Sequence, residues 1–246
     1  SVYAQKPKSA SPFTDGENLT YEGKFSKSIL RGIAVADLSF TVSSLPGSGD
    51  YMVKAEAKSK GTLLKIFNFK FYQRIESTVA NDRYSVLKTF KRDEQGDRVR
   101  ESEAEFDYEG KKVTYVETDP KDPARPPRRV ASPIENDTQD LISAIYSLRR
   151  LPFANGKTFE MSVSDSGLVY KVPVRVTGRE MQKTAIGRVW CWRVEPEVFG
   201  ENRMIEQEGS MIIWITDDAR RLPVRSKIDS DIGKIEVKLK KVATVK

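Results

Sequence analysis

Residues 34–43 read AVADLSFTVS. Ala34, Ala36, Leu38, Phe40 and Val42 alternate with Val35, Asp37, Ser39, Thr41 and Ser43. Side chains of a strand point alternately to its two faces, so a period of two describes a strand with one buried face. The habit recurs along the chain. Val53, Ala55 and Ala57 alternate with Lys54, Glu56 and Lys58, and Phe67, Phe69 and Phe71 with Asn68, Lys70 and Tyr72. Tyr84, Val86 and Phe90 share a face interrupted by Lys88. Ala104, Phe106 and Tyr108 lead through Glu109-Gly110 into Val113 and Tyr115, which reads as a hairpin.

The second half repeats the pattern. Phe159, Met161 and Val163 turn at Asp165-Ser166-Gly167 into Tyr170, Val172, Val174 and Val176. Pro173 cannot donate to a ladder, which places that strand at an edge or bulge. Trp190, Trp192 and Val194 share a face. Met211, Ile213 and Ile215 turn at Asp217-Asp218 into Val224, Ser226 and Ile228, and Ile235, Val237 and Leu239 close the chain. Short turns between about ten or eleven strands predict antiparallel meanders.

One segment carries helical spacing, from Asp137 to Arg150. Asn136 or Asp137 is placed to cap it, with Gln139 or Asp140 three residues on. Leu141, Ile145 and Leu148, widened by Ile142 and Tyr146, form its stripe. Arg149 and Arg150 suit the negative end of the dipole, and Pro152 stops the helix. A shorter helical turn is read at Leu63 to Phe67. Residues 119–134 hold five of the twelve prolines. With strands of one character on both sides, they read as a long loop within a single domain from 13 to 246. A ligand for a proline-binding domain is the sharper alternative.

A helix of about fourteen residues spans roughly 21 Å and cannot cover a sheet this large. The predicted fold class is therefore mainly β: a strongly curved antiparallel sheet, or an incompletely closed barrel, with the helix in or over its concave face. A wide barrel leaves a hollow, and the inward Phe, Tyr, Trp, Val and Ile make that hollow apolar. A two-sheet sandwich with a filled core is the alternative.

The chain of 246 residues contains no histidine and one cysteine, Cys191. That excludes Ser-His-Asp and Cys-His catalysis, histidine-based zinc sites and an internal disulfide. Cys191, between Trp190 and Trp192, reads as a small buried hydrophobe. No cofactor and no metal are expected. The 42 Lys+Arg exceed the 35 Asp+Glu by seven, without a nucleic-acid-binding motif. Scattered as it is, this charge reads first as a solvated surface; an anionic membrane surface or an envelope protein is the partner it would suit, nucleic acid is not expected, and the chain reads as a monomer. Val2-Tyr3-Ala4 fits a signal-peptidase site with cleavage before Gln5, so export to the periplasm is expected, with residues 1–12 a disordered leader.

Several segments together resemble a family of exported bacterial proteins of unknown function: Pro12 to Tyr21 (PFTDGENLTY), Asp140 to Arg149 (DLISAIYSLR), Gly156, Trp214 to Asp218 (WITDD) and Arg221 to Val224 (RLPV). The resemblance covers nearly all of Phe13 to Val242. It implies a fold similar to that of the periplasmic lipoprotein carriers, a curved open sheet with helix in its concavity that shelters acyl chains. It implies no residue roles.

The candidate ligand-binding residues are Phe67, Phe69, Phe71, Tyr146, Trp190, Trp192 and Trp214, for a lipid or acyl chain; core is the competing reading of the tryptophans. Lys58, Lys60, Lys65, Lys70 and Arg74, interleaved with Leu63, Leu64, Phe67, Phe69 and Phe71, are the candidates for membrane or anionic-partner contact; a half-buried strand competes. No catalytic residue is assigned. Asp217-Asp218 is read as a turn, because neighbouring strand residues face apart and Asp favours turns. Glu195 with Glu197, or Glu206 with Glu208, has the composition but no distinguishing spacing of a glycosidase pair. The leading expectation is a non-enzymatic periplasmic carrier of an apolar ligand, followed by an envelope interaction module, then a glycan hydrolase.

Overall fold

A computed structural model describes residues 11–244. The cleavage site, and residues 1–10 of the leader read over 1–12, lie outside the described residues. Order begins earlier than expected: Ser11 Oγ both accepts from Phe13 N–H and donates to Phe13 O, and Pro12 is buried with Phe13.

Fifteen strands form one sheet. The first half contributes β1 (Glu17–Lys27), β2 (Leu30–Ser44), β3 (Tyr51–Ser59), β4 (Phe71–Val79), β5 (Val86–Gln95), β6 (Arg98–Asp107), β7 (Lys112–Thr118) and β8 (Arg128–Pro133), with helix α1 (Gly61–Phe67) between β3 and β4. The second contributes β9 (Gln139–Asp140), helix α2 (Leu141–Leu148), β10 (Thr158–Asp165), β11 (Leu168–Thr184), β12 (Gly187–Pro196), β13 (Gly209–Thr216), β14 (Pro223–Ser230) and β15 (Gly233–Thr244). The sheet runs β8 to β1, then β15 back to β9, so the first and last strands pair at its centre, from Glu17 opposite Thr244 to Ser26 opposite Lys234. All pairings are antiparallel except β9 with β10.

The two edge strands, β8 and β9, are consecutive in the chain. Laid flat, fifteen strands would hold their edges about 67 Å apart. Residues 134–138 can reach only about 20 Å. The sheet must therefore roll until its edges nearly meet, and it does. Ser132 Oγ on β8 donates to Gly167 O, 2.7 Å away in the β10–β11 turn. Gly167 has φ +83°, and a Cβ there would lie 2.6 Å from Tyr115 Cβ and 2.8 Å from Val130 Cβ. Bulges at Thr20/Tyr21, Gly23/Lys24, Val176/Gly178 and Trp214/Ile215 add to the curl. The edges do not exchange a ladder, so the barrel stays open along this seam.

Helix α2 lies in the concavity. Its Ile142 and Tyr146 pack with Val42, Val53, Ala55, Ile75 and Val79 from β2 to β4. Its Leu148 packs with Val163, Val174, Val194 and Ile213 from the other wall. The helix is shorter than expected because its cap is Asp140. That carboxylate accepts from the Ile142 and Ser143 backbone N–H groups at 3.0 and 2.7 Å and from Ser143 Oγ, and it also receives the hydroxyls of Ser77 on β4 and Thr89 on β5. Residues 139–140 are thereby drawn into the sheet and cannot join the helix.

Three further readings are corrected. Phe67, Phe69 and Phe71 do not share a strand: Phe67 ends α1, Asn68 follows in the left-handed region, and β4 starts at Phe71. The proline loop is shorter, because Arg128–Pro133 forms β8, an edge strand that ends at its proline. Pro173 lies in an interior strand, at the point where pairing with β12 stops.

Gly167→Ala is expected to destabilise the protein by about 2–5 kcal/mol in urea denaturation, from the positive φ and the blocked seam. Gly156→Ala, with φ +79° but nothing within 4 Å of the added carbon, should cost about 1 kcal/mol. Equal losses would show that the seam does not hold the roll.

Candidate functional site

The short helix leaves part of the concavity unfilled. A cavity of about 240 Å³ remains between α2 and the middle of the sheet. Leu19 and Tyr21 of β1 and Leu38 and Phe40 of β2 form one wall, Met211 and Ile213 of β13 with Ile228 of β14 form another, and Ile145 and Tyr146 of α2 close it.

The charged groups at its border, Arg149 and Arg225, are already engaged, Arg225 by Glu236 and Gln182. Arg149, just past the helix, forms a bidentate pair with Glu17 at 2.7 and 3.0 Å, and also donates to Arg220 O. The two side chains are 5% and 8% exposed. Tyr21 Oη donates to Pro223 O at 2.8 Å. Burial raises the Tyr21 hydroxyl pKa well above the usual phenol range, with Glu17 adding and Arg149 opposing. Burial does the same to Tyr146, whose hydroxyl has no partner among the described residues. Both phenols therefore remain neutral, and the lining is mostly apolar, with Arg149, Arg225 and Ser226 as its other polar members.

Of the candidate ligand residues, Tyr146 lines this cavity. Phe67, Phe69 and Phe71 lie at the end of the sheet, where Phe67 meets Phe25 edge-on at 5.5 Å and Phe69 lies 6.3 Å from Phe71. Trp190 is 47% exposed, with the Arg179 guanidinium 4.9 Å from its ring. Trp192 donates to Asp217 at 2.7 Å and packs by Phe153. Trp214 is buried beneath Arg225 and donates to Glu180 at 2.9 Å. Alternation groups Trp190 with Trp192, but the arginine-covered rings of Trp190 and Trp214 lie outside the cavity lining.

Among the candidate cations, Lys60 is held by Glu22 and Asp37 at 3.0 and 3.1 Å, and Arg74 is paired with Glu76. Lys58, Lys65 and Lys70 are exposed and make no ion pair among the described residues. Asp217-Asp218 forms the expected turn, with Asp218 accepting from the Arg220 and Arg221 backbone. Glu195 is bound by Arg193 and Thr177, and Glu197 by Arg175 and Arg203. Burial, with Asp218, Asp217 and Glu180 nearby, pushes the Cys191 thiol up to about 12, so it is protonated at neutral pH. Among the described residues no cluster of potential metal ligands occurs, and no helix is long and apolar enough to cross a membrane.

The Glu17–Arg149 pair was not read from the sequence. Its partners nevertheless stand in two of the segments that carry the family resemblance, and Pro223 stands in a third. Those segments converge at the arginine end of the cavity.

The class defined here is an open, barrel-like sheet wound around a helix with an apolar hollow beside it. The chain belongs to the family described as protein of unknown function DUF3108, whose model matches residues 20–240. A β-barrel-like protein of a domain of unknown function, DUF1849, from Brucella abortus is similar in structure, with a TM-score of 0.63 at 10% identity over 93% of this chain and 97% of that one. A protein from Bacteroides fragilis named as exported, with a YmcC-like fold, gives 0.38 at 11% identity over 95% and 98% of the two chains. A protein from Parabacteroides distasonis named as a lipoprotein gives 0.33 at 10% identity over 94% and 98%. Only the first of these three likenesses extends to the fold. No curated protein matches the chain in sequence.

Breaking a buried ion pair strands its partner in a dry site. Glu17→Ala is expected to lower stability by about 3–5 kcal/mol, while Glu17→Leu combined with Arg149→Met recovers most of the loss. Urea denaturation of the single and double variants checks this; a double variant as unstable as the single would assign Arg149 a role beyond the pair.

Proposed function

We propose that the protein is a non-enzymatic binding protein of the bacterial envelope that takes up an apolar ligand, a lipid or single acyl chain, in the hollow beside α2. The observation that carries this reading is the mostly apolar cavity of about 240 Å³. It exceeds the roughly 150 Å³ apolar cavity that stays dry and takes up benzene in an engineered protein. Binding would draw on burial of alkyl groups, about 0.8 kcal/mol per methylene. Helix α2, tied down by Asp140 and Arg149, serves as a fixed plug against which the chain packs. The envelope address rests on the signal-peptidase pattern at Val2-Tyr3-Ala4. The fold implied by the resemblance to a family of exported proteins, similar to that of the periplasmic lipoprotein carriers, agrees with the ligand class.

A series of saturated fatty acids tests the reading by competition with a fluorescent fatty acid. Affinity should rise about fourfold per added methylene and level off when the hollow is full. Ile228→Trp, which fills the hollow, should remove binding without lowering the melting temperature. An affinity independent of chain length, together with no lipid on the purified protein by native mass spectrometry, would exclude a carrier and favour an envelope interaction module.

A further inference from the structure

Three neighbouring connections at one end of the sheet carry large apolar side chains into solvent. Ile29, at the β1–β2 turn, is 93% exposed, and Ile232, at the β14–β15 turn, is 58% exposed. Beside them, α1 buries none of its residues, and Leu64, Ile66, Phe67 and Phe69 are each 41–47% exposed. These connections form one rim. Lys27 Nζ reaches Asp231 O at 3.1 Å between the two turns, and Phe25 of β1 contacts Phe67 of α1.

The three connections themselves are mostly cationic. Residues 27–31, 58–70 and 230–234 contain Lys27, Arg31, Lys58, Lys60, Lys65, Lys70 and Lys234 against a single acid, Asp231. Lys60 and Lys234 are engaged by Glu22, Asp37 and Asp229. Arg31, Lys58, Lys65 and Lys70 are exposed and make no ion pair among the described residues. The arrangement is also layered. Lys27 and Arg31 each stand two residues behind Ile29, and Lys234 two behind Ile232, a setback of about 7 Å along a strand. An apolar tip with cations set back by that depth matches an interface whose outer layer is negative and whose interior, about 5–10 Å further in, is hydrocarbon. A second protein would be met by a groove or flat face; here single side chains project from turns.

We infer that this rim docks the protein on an anionic phospholipid surface, with Ile29, Ile232 and the α1 side chains seated in the acyl boundary and the free cations among the headgroups. The docking deepens the proposed carrier role without depending on it. Phe25, opposite Ile235, shares a rung with Ile228 and Met211 of the cavity wall, so the wall and the rim's Phe25 stand at the same level of the sheet.

Flotation of the full chain with vesicles tests the inference. The wild type should float with phosphatidylcholine vesicles containing phosphatidylglycerol, should float poorly with phosphatidylcholine alone, and should detach in high salt. Ile29→Asp with Ile232→Asp, and separately Lys65→Glu with Lys70→Glu, should each weaken flotation about tenfold or more. Lys112→Glu with Lys157→Glu, away from the rim, should leave it unchanged. Circular dichroism checks that the variants fold. Absence of wild-type flotation with the anionic vesicles overturns the inference. So does flotation indifferent to the rim variants, or a dimer in solution that Ile29→Asp abolishes, which would make a second copy the occupant. Fatty-acid competition in vesicle-free solution separates the two readings: uptake without flotation removes only the docking, and flotation without uptake removes only the cavity ligand.

Discussion

The whole structure depends on the shortness of one connection. Five residues, 134–138, join the two outermost strands of a fifteen-stranded sheet. Chain length alone forbids a flat arrangement. Pairing of β1 with β15 at the centre has the complementary effect, making the two meanders one surface. Once the sheet is rolled, its inner face needs cover, and the segment entering the roll immediately after the short connection is α2. Position in the chain, as much as amphipathicity, puts that helix inside.

Being inside imposes conditions on α2. Each of its ends is buried against sheet, so its unpaired backbone groups need partners from the protein. At the first end Asp140 answers two backbone donors and three hydroxyls, joining the helix to β4 and β5. At the other end Arg149 reaches across to Glu17 and to the carbonyl of Arg220, joining it to β1 and to the β13–β14 turn. The helix is thus held at two points, while its middle, Ile145 and Tyr146, faces space that eight residues cannot fill.

Much of this was legible from residues and some was not. Period-two alternation identified most of the strands, and the mismatch between sheet area and a single helix implied the curl. The strand β4 was hidden because an inward position, Ser77, is polar; it is buried because it serves Asp140. Gly23 similarly breaks the apolar run of β1 at a position where an added Cβ would lie 3.4 Å from Ala36 Cβ. The phenylalanines at 67, 69 and 71 alternate as a strand would, but a helix end and a left-handed Asn68 carry the first two out to the surface. Alternation reports on faces and not on depth, so it could not separate the cavity wall from the arginine-covered tryptophans. The Glu17–Arg149 pair joins residues 132 apart, and no local pattern encodes such a partner.

The hollow itself bears on what the molecule is for. Leaving an apolar hollow of about 240 Å³ unfilled forgoes packing contacts that a filled core would make. Filling the space would require no new architecture: larger side chains at Ile145, Ile213 or Leu38 would do it, and each already stands on a rigid element. A hydrocarbon occupant recovers such contacts by burying its own surface, and its affinity is then set by how much of the hollow it fills. A fold that keeps the space, lines it mostly with apolar side chains and pairs the nearby charges would suit the proposed apolar guest better than a polar one. A polar ligand would have to displace Glu17 from Arg149 or make do with the few polar groups of the lining, Tyr146 and Ser226 among them.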